Sequence, residues 1–135
     1  VGDFLKEVGC GIHIDSSQYA YGDDCRPSLL PGYVAEIPVT EGTDAEGRRI
    51  SAYLWPMHEG KRSPQDYIDL ASAVPEDGVL VIADHTWHIV ESRSGGVFSE
   101  DDLRENLEKT ERVLRGILEA GNRPATLSEI SRLAV

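Results

Sequence analysis

The chain is poor in sulfur and in positive charge. Its 135 residues include two cysteines and one methionine, and 13 Lys and Arg face 24 Asp and Glu, for a formal net charge of −11. Cys10 and Cys25 do not form a Cys-x-x-Cys pair, which excludes zinc-ribbon and thioredoxin-like arrangements. Their spacing allows either a disulfide or two buried thiols. The basic clusters, Arg48-Arg49 and Lys61-Arg62, are too small to overcome the negative field of the whole chain. Neither nucleic acid nor an anionic membrane is therefore an expected partner. No window approaches the roughly 18 consecutive apolar residues of a membrane-spanning helix. No positively charged start followed by an apolar stretch and a cleavage site marks a secretion signal.

What is present suits one domain, residues 1–135, with an ordinary core: 40% of residues are hydrophobic and 27% charged. The most informative stretch is Val79-Leu80-Val81-Ile82-Ala83-Asp84-His85-Thr86-Trp87-His88, where an apolar run ends abruptly in histidines and a tryptophan. That pattern predicts a buried strand over 79–83 that opens into a site, because α/β folds carry their chemistry where strands leave the sheet.

Around it, alternation predicts a strand over 11–16 (Ile12 and Ile14 against His13 and Asp15). A loop follows over 18–33, then a strand over 33–40 with Pro38 at an edge or strand end. A turn-rich connection over 41–49 leads to a returning strand over 50–55. Ser63-Pro64-Gln65-Asp66 signals a helix start, with Tyr67, Ile68, Leu70, Ala71 and Val74 on its apolar face. Ser99 followed by three acids starts the longest helix, with Leu103, Leu107, Val113, Leu114, Ile117 and Leu118 in helical period and Gly121 as its stop. A short strand over 123–127 and a last helical turn capped by Ser128 complete the order. Alternation of helix and strand in the later part argues for α/β packing with a parallel sheet or barrel. The first residues read as the end of a helix, with Phe4, Leu5 and Val8 on one face before Gly9. Further sequence ahead of Val1 is therefore expected.

The order Gly-Ile-His-Ile-Asp-Ser-Ser (11–17), Glu-Ile-Pro-Val (36–39), Val-Leu-Val-Ile-Ala-Asp-His-Thr-Trp (79–87) and Gly-Asn-Arg-Pro-Ala-Thr-Leu-Ser-Glu-Ile (121–130) resembles the second half of the polysaccharide deacetylase (NodB-homology) domain. The resemblance implies an α/β chain forming part of a distorted (β/α) barrel, its C-terminal strands and helices. It implies a hydrolase of carbon–nitrogen, non-peptide bonds that removes an N-acetyl group from a carbohydrate or small amide substrate with a divalent, zinc-like metal. The family's Thr-Phe-Asp-Asp-Gly strand, His-x-x-x-His pair and Arg-x-Pro-x-Gly motif are absent from this sequence, whose histidines are His13, His58, His85 and His88. No metal ligands are therefore assigned here, and the expected partner is the missing N-terminal half of the domain or a second copy of the chain.

The resemblance implies that His85 is the acid that protonates the leaving amine, a role that suits an imidazole near neutral pH. Asp15, at the end of the 11–16 strand, is its expected carboxylate partner; the alternative is an Asx turn bonding Ser17. Trp87 is expected to line the substrate pocket or to be a core indole. His88 is expected to be a second contact to substrate or a surface histidine. Tyr19 is a candidate for stacking on sugar, as are Tyr21 and Tyr33, unless they merely pack at loop edges. At the end of a strand His85 and His88 should diverge, and two ligands are too few for zinc. A non-catalytic carbohydrate-binding or structural relative, and an unrelated α/β binding module, are the other functional readings.

Overall fold

The computed structural model describes residues 13–134, an α/β arrangement of two small open sheets and five α-helices among those residues. Six strands come first: β1 (Ile14–Asp15), β2 (Tyr19–Tyr21), β3 (Ser28–Leu30), β4 (Val34–Glu36), β5 (Val39–Thr43) and β6 (Arg49–Ser51). The helices are α1 (Trp55–His58), α2 (Pro64–Ser72), α3 (Thr86–Val90), α4 (Glu100–Glu119) and α5 (Leu127–Ile130). One sheet has the order β1-β4-β3 and the other β2-β5-β6; in each, the first pair is parallel and the second antiparallel. No described helix is long and apolar enough to cross a membrane.

The two sheets are linked by a pair of parallel chain segments that both bend at the same level. Ile14 and Asp15 pair with Ala35 and Glu36, and beyond the bend Tyr19 pairs with Val39. The first segment thus carries one more residue across the bend than the second, as in a β-bulge. Pro38 explains the interruption, since it has no N–H to offer the ladder. Around it Ile37 N donates to Asp15 O at 2.9 Å, Val39 N to Gln18 O at 2.9 Å, and Ser16 Oγ to Ile37 O at 2.6 Å. The expected continuous strand over 33–40 is therefore two strands in two sheets. The 18–33 loop holds β2, a 3-10 turn and β3, because β2 and β3 find partners in β5 and β4 that local composition does not reveal. The 11–12 part of the first expected strand, Cys10 and the expected helix end at 1–9 lie outside the described residues.

The β5–β6 hairpin is closed by Asp44. Its buried carboxylate accepts from Glu46 N and Arg48 N, from Arg48 Nε at 2.8 Å, and from Arg62 Nη1. Arg62 also donates to Arg49 O at 2.9 Å, which ties the hairpin to the chain entering α2. That helix starts as expected: Ser63 accepts from Asp66 N while Asp66 accepts from Ser63 N, a reciprocal capping box with Pro64 in the first turn.

The core lies between the second sheet and helices α2 and α4. It gathers Val39, Ile50, Ala52, Leu54, Met57, Tyr67, Leu70, Ala71, Val113 and Ile117. Full burial of each large side chain contributes about 1.5–3 kcal/mol. In α4 the inner face is Asn106, Val113 and Ile117, whereas Leu107, Leu114 and Leu118 stand 52%, 49% and 52% exposed. Two contacts set that rotation. Gly116 approaches α2 so closely that a Cβ there would lie 2.5 Å from Ile68 Cδ1. Buried Asn106 donates to Ile89 O at the end of α3, at 3.2 Å. The helical period expected of these residues holds, but α4 carries two adjacent apolar stripes and only one is covered among the described residues.

The segment 79–83 is not a ladder strand, and its side chains are half-buried rather than fully buried. Thr40 takes the place of a ladder partner: Val81 N donates to Thr40 Oγ1 at 2.9 Å, and Thr40 Oγ1 donates to Val79 O at 3.3 Å. Only at Ala83 does a parallel bridge form, to Tyr53. After α4, Gly121 takes φ +91° as the helix stop. The expected strand over 123–127 is absent; Thr126 rather than Ser128 caps the last helix, because its hydroxyl and Glu129 form a capping box two residues earlier.

Two stability predictions follow from this packing. Gly116→Leu should destabilise the fold by about 1–3 kcal/mol through overpacking against Ile68, read as a lower denaturant midpoint; an unchanged midpoint contradicts the close approach. Asp44 is opposed by its own burial, yet its hydrogen bonds from Arg48 and Arg62 hold its carboxyl well below the usual range. A depressed folded value stabilises fully above the unfolded value of about 3.9 and is lost as pH falls through the folded one. Asp44→Asn should therefore lower Tm at pH 7, and the gap to wild type should narrow only in strong acid. A gap that closes by pH 5 contradicts it.

Candidate functional site

The site forms where the bridge at Ala83 brings two segments together. Ala83 N donates to Ala52 O at 2.9 Å, and Leu54 N donates to Ala83 O at 3.1 Å. On the first segment Ile50 and Ala52 point into the core, so Ser51 and Tyr53 face the other way by alternation, and Trp55 follows at the start of α1. On the second, the chain turns directly into α3, which carries Trp87 and His88, with His85 at its N-cap. A cavity of about 360 Å³ lies between them, lined by Tyr19, Tyr53, Trp55, His85, Trp87, His88 and Arg93 with Ser51.

His85 and Trp87 are stacked with ring centres 6.0 Å apart, and Tyr53 stands 6.4 Å from His85. Tyr19 is half-exposed, 6.3 Å from Tyr53. His85 and His88 do not diverge as expected of a strand end. Three residues apart at the start of a helix, they share a face, with ring centres 5.2 Å apart. His88 is buried rather than on the surface, and Trp87 is half-exposed rather than a core indole.

Behind this wall lies a carboxylate between two imidazoles. Asp84 Oδ2 is 3.2 Å from His58 Nε2, and Asp84 Oδ1 is 3.8 Å from His88 Nδ1. The His58 side chain is fully buried. Both His88 nitrogens, His58 Nδ1 and Asp84 Oδ1 are buried without a hydrogen-bond partner. Buried polar atoms are normally paired, so four orphans around one carboxylate mark a place kept for something other than stability. Burial pushes the His88 imidazole below the usual histidine value; His85 adds to the shift and Asp84 opposes it. The surroundings thus favour the neutral imidazole of His88.

Asp15 is placed elsewhere. Its carboxylate accepts from Ser17 Oγ at 2.9 Å, the turn alternative, and it does not line the cavity. The carboxylate among the histidines is Asp84. Its position directly before His85 was a signal in the sequence, as was the alternation of Tyr53 and Trp55. Nothing in the sequence pointed to His58, whose α1 follows a Pro56 start only four residues long. Tyr21 and Tyr33 are exposed, and neither lines the cavity.

Three anchors hold the walls. Tyr67 Oη donates to Tyr53 O at 2.7 Å, Asn106 fixes the end of α3, and Glu59 accepts from Ser92 Oγ and Arg93 N. A second cavity, about 420 Å³, lies on the far side of His58. Its charges are committed to each other: Lys61 to Glu59 at 2.6 Å and Lys109 to Glu105 at 2.7 Å. Among the described residues no group of three or more His, Cys, Asp or Glu side chains has the arrangement of a metal site.

A scan against protein-family models found no match, and neither did searches of curated proteins and of solved structures.

In a histidine-resolved NMR titration His88 should titrate below the usual value of about 6.5. Asp84→Asn should lower it further, since the carboxylate is what opposes the shift. Because the folded value is depressed, His88 protonation favours the unfolded chain, and its contribution to stability is lost as pH falls below about 6.5. A His88 value unmoved by Asp84→Asn contradicts this geometry.

Proposed function

We propose that this chain supplies the acid-histidine half of a deacetylase-like hydrolase that cleaves the N-acetyl amide of a carbohydrate or related substrate. One observation carries the reading: His85 stands exposed at a cavity walled by Tyr19, Tyr53, Trp55 and Trp87. Aromatic faces suit the C–H surfaces of sugar rings, and an imidazole among them is placed to move a proton. In amide hydrolysis water adds to the carbonyl carbon, the C–N bond breaks, and the departing nitrogen must gain a proton. His85 donates that proton. Asp84, bonded to His58, lies behind it, and the buried His88 ring, three residues on, packs edge-on to His85 on the same helix face.

The zinc-like metal that the resemblance implies would be held by residues outside those described here, in the half of a distorted (β/α) barrel that completes this one. The leucine stripe of α4 supports such a further layer, since a contiguous exposed apolar patch marks an interaction surface. The purified chain should therefore self-associate or bind its complementary half. Sedimentation of a clean monomer at micromolar concentration contradicts this.

The functional test is acetate release from N-acetylglucosamine oligosaccharides by the protein in its native assembly, purified without chelator. His85→Ala should lower kcat by about 10²–10⁴ while sugar binding persists. Undiminished turnover removes His85 from the acid role. Sugar binding with no acetate released favours the second reading, a non-catalytic carbohydrate-binding relative, which the same aromatic walls support.

A further inference from the structure

We infer that the cavity takes a sugar bearing a carboxylate, with Arg93 as the group that reads it; this rests on the carbohydrate reading above and names its substrate class. Arg93 is the one Lys or Arg among the described residues that line the aromatic cavity, and its guanidinium carbon lies 4.4 Å from the Trp55 ring centre. Most arginines near the sheets are neutralised: Arg26 by Asp77, Arg48 and Arg62 by Asp44, Arg49 by Glu41. Arg93 has no carboxylate partner among the described residues, although the chain carries 24 acids. Lys61, on the same indole at 4.9 Å, is already paired with Glu59.

The position of Arg93 is built rather than incidental. Glu59, whose side chain is buried, takes the Arg93 backbone N–H at 2.5 Å and the Ser92 hydroxyl at 3.2 Å. A hairpin-like bridge between Glu91 and Val97 closes the loop around it. The guanidinium lies over Trp55 at the wall, and no side-chain hydrogen bond or ion pair engages its N–H fork among the described residues, which suits a planar, bidentate partner. With the chain at −11, an anionic ligand gains nothing from the overall field, so its attraction has to come from this one local cation. A carboxylate on a sugar ring matches the fork, while the ring itself lies on the aromatic faces.

The experiment is calorimetric titration of the full chain with two hexasaccharides: hyaluronan, which alternates glucuronate with N-acetylglucosamine, and chitin, which is N-acetylglucosamine alone. The acidic oligosaccharide should bind at least tenfold more tightly at low salt, with the preference falling as salt rises. Arg93→Gln should erase the preference by weakening hyaluronan binding at least tenfold more than chitin binding, and Arg93→Lys should keep only part of the preference, since a lysine keeps the charge and loses the fork. Equal binding of the two, or a preference that survives Arg93→Gln, overturns the inference and leaves the sugar reading standing. Binding of neither overturns both.

Discussion

The backbone bridge between Ala83 and the strand end at Ala52 and Leu54 is the joint on which the rest depends. Two hydrogen bonds there set 79–88 against 50–58 in a fixed register. A one-residue slip would turn Ser51 and Tyr53 toward the core and expose Ile50 and Ala52, at a cost of buried side chains. The hydrophobic core thus holds the site indirectly: by demanding one face of the segment, it delivers the other face to the cavity. The polar anchors from Tyr67, Asn106 and Glu59 then fix the walls from three sides.

The same arrangement explains why a costly cluster persists. Asp84 sits between His58 and His88 with orphaned atoms on all three, a disposition that stability alone disfavours. It survives because Met57 and the α1 turn are packed in the core and carry His58 with them, and because α3 is pinned at its far end by Asn106. Rigid elements hold the groups where relaxation would otherwise pair them. Such preorganisation is what the proposed proton transfer would require.

Much of this was legible in the sequence where local rules act alone. Ser63-Pro64 and Ser99 started their helices as read, and the acids that follow them completed the caps. The aromatic and histidine cluster at 85–88 did mark a cavity wall. The residues that failed to speak were those whose state is set by distant partners. Asp15 was given to His85 by proximity to a strand end, but Ser17, two residues away, takes it first. The 79–83 run has the composition of a buried strand, but a threonine side chain, Thr40, replaces its ladder partner. Leu107, Leu114 and Leu118 have the period of a core face, and only the packing of Gly116 against Ile68 shows that the helix is turned away from them. His58 lies on a four-residue helix, too short for any period to emerge.

The central claim is that a sugar ring seats against Tyr53, Trp55 and Trp87 with its amide toward His85. The most direct measurement is amide and indole chemical-shift mapping by NMR while an N-acetylated, glucuronate-containing oligosaccharide is added. The account predicts that the largest shifts fall on the Trp55 and Trp87 indole N–H groups and on the His85 ring, with Asp15 and the far cavity beside Lys109 silent. Shifts gathered on that far cavity, or on the α4 leucines, with the two indoles unmoved, would contradict it.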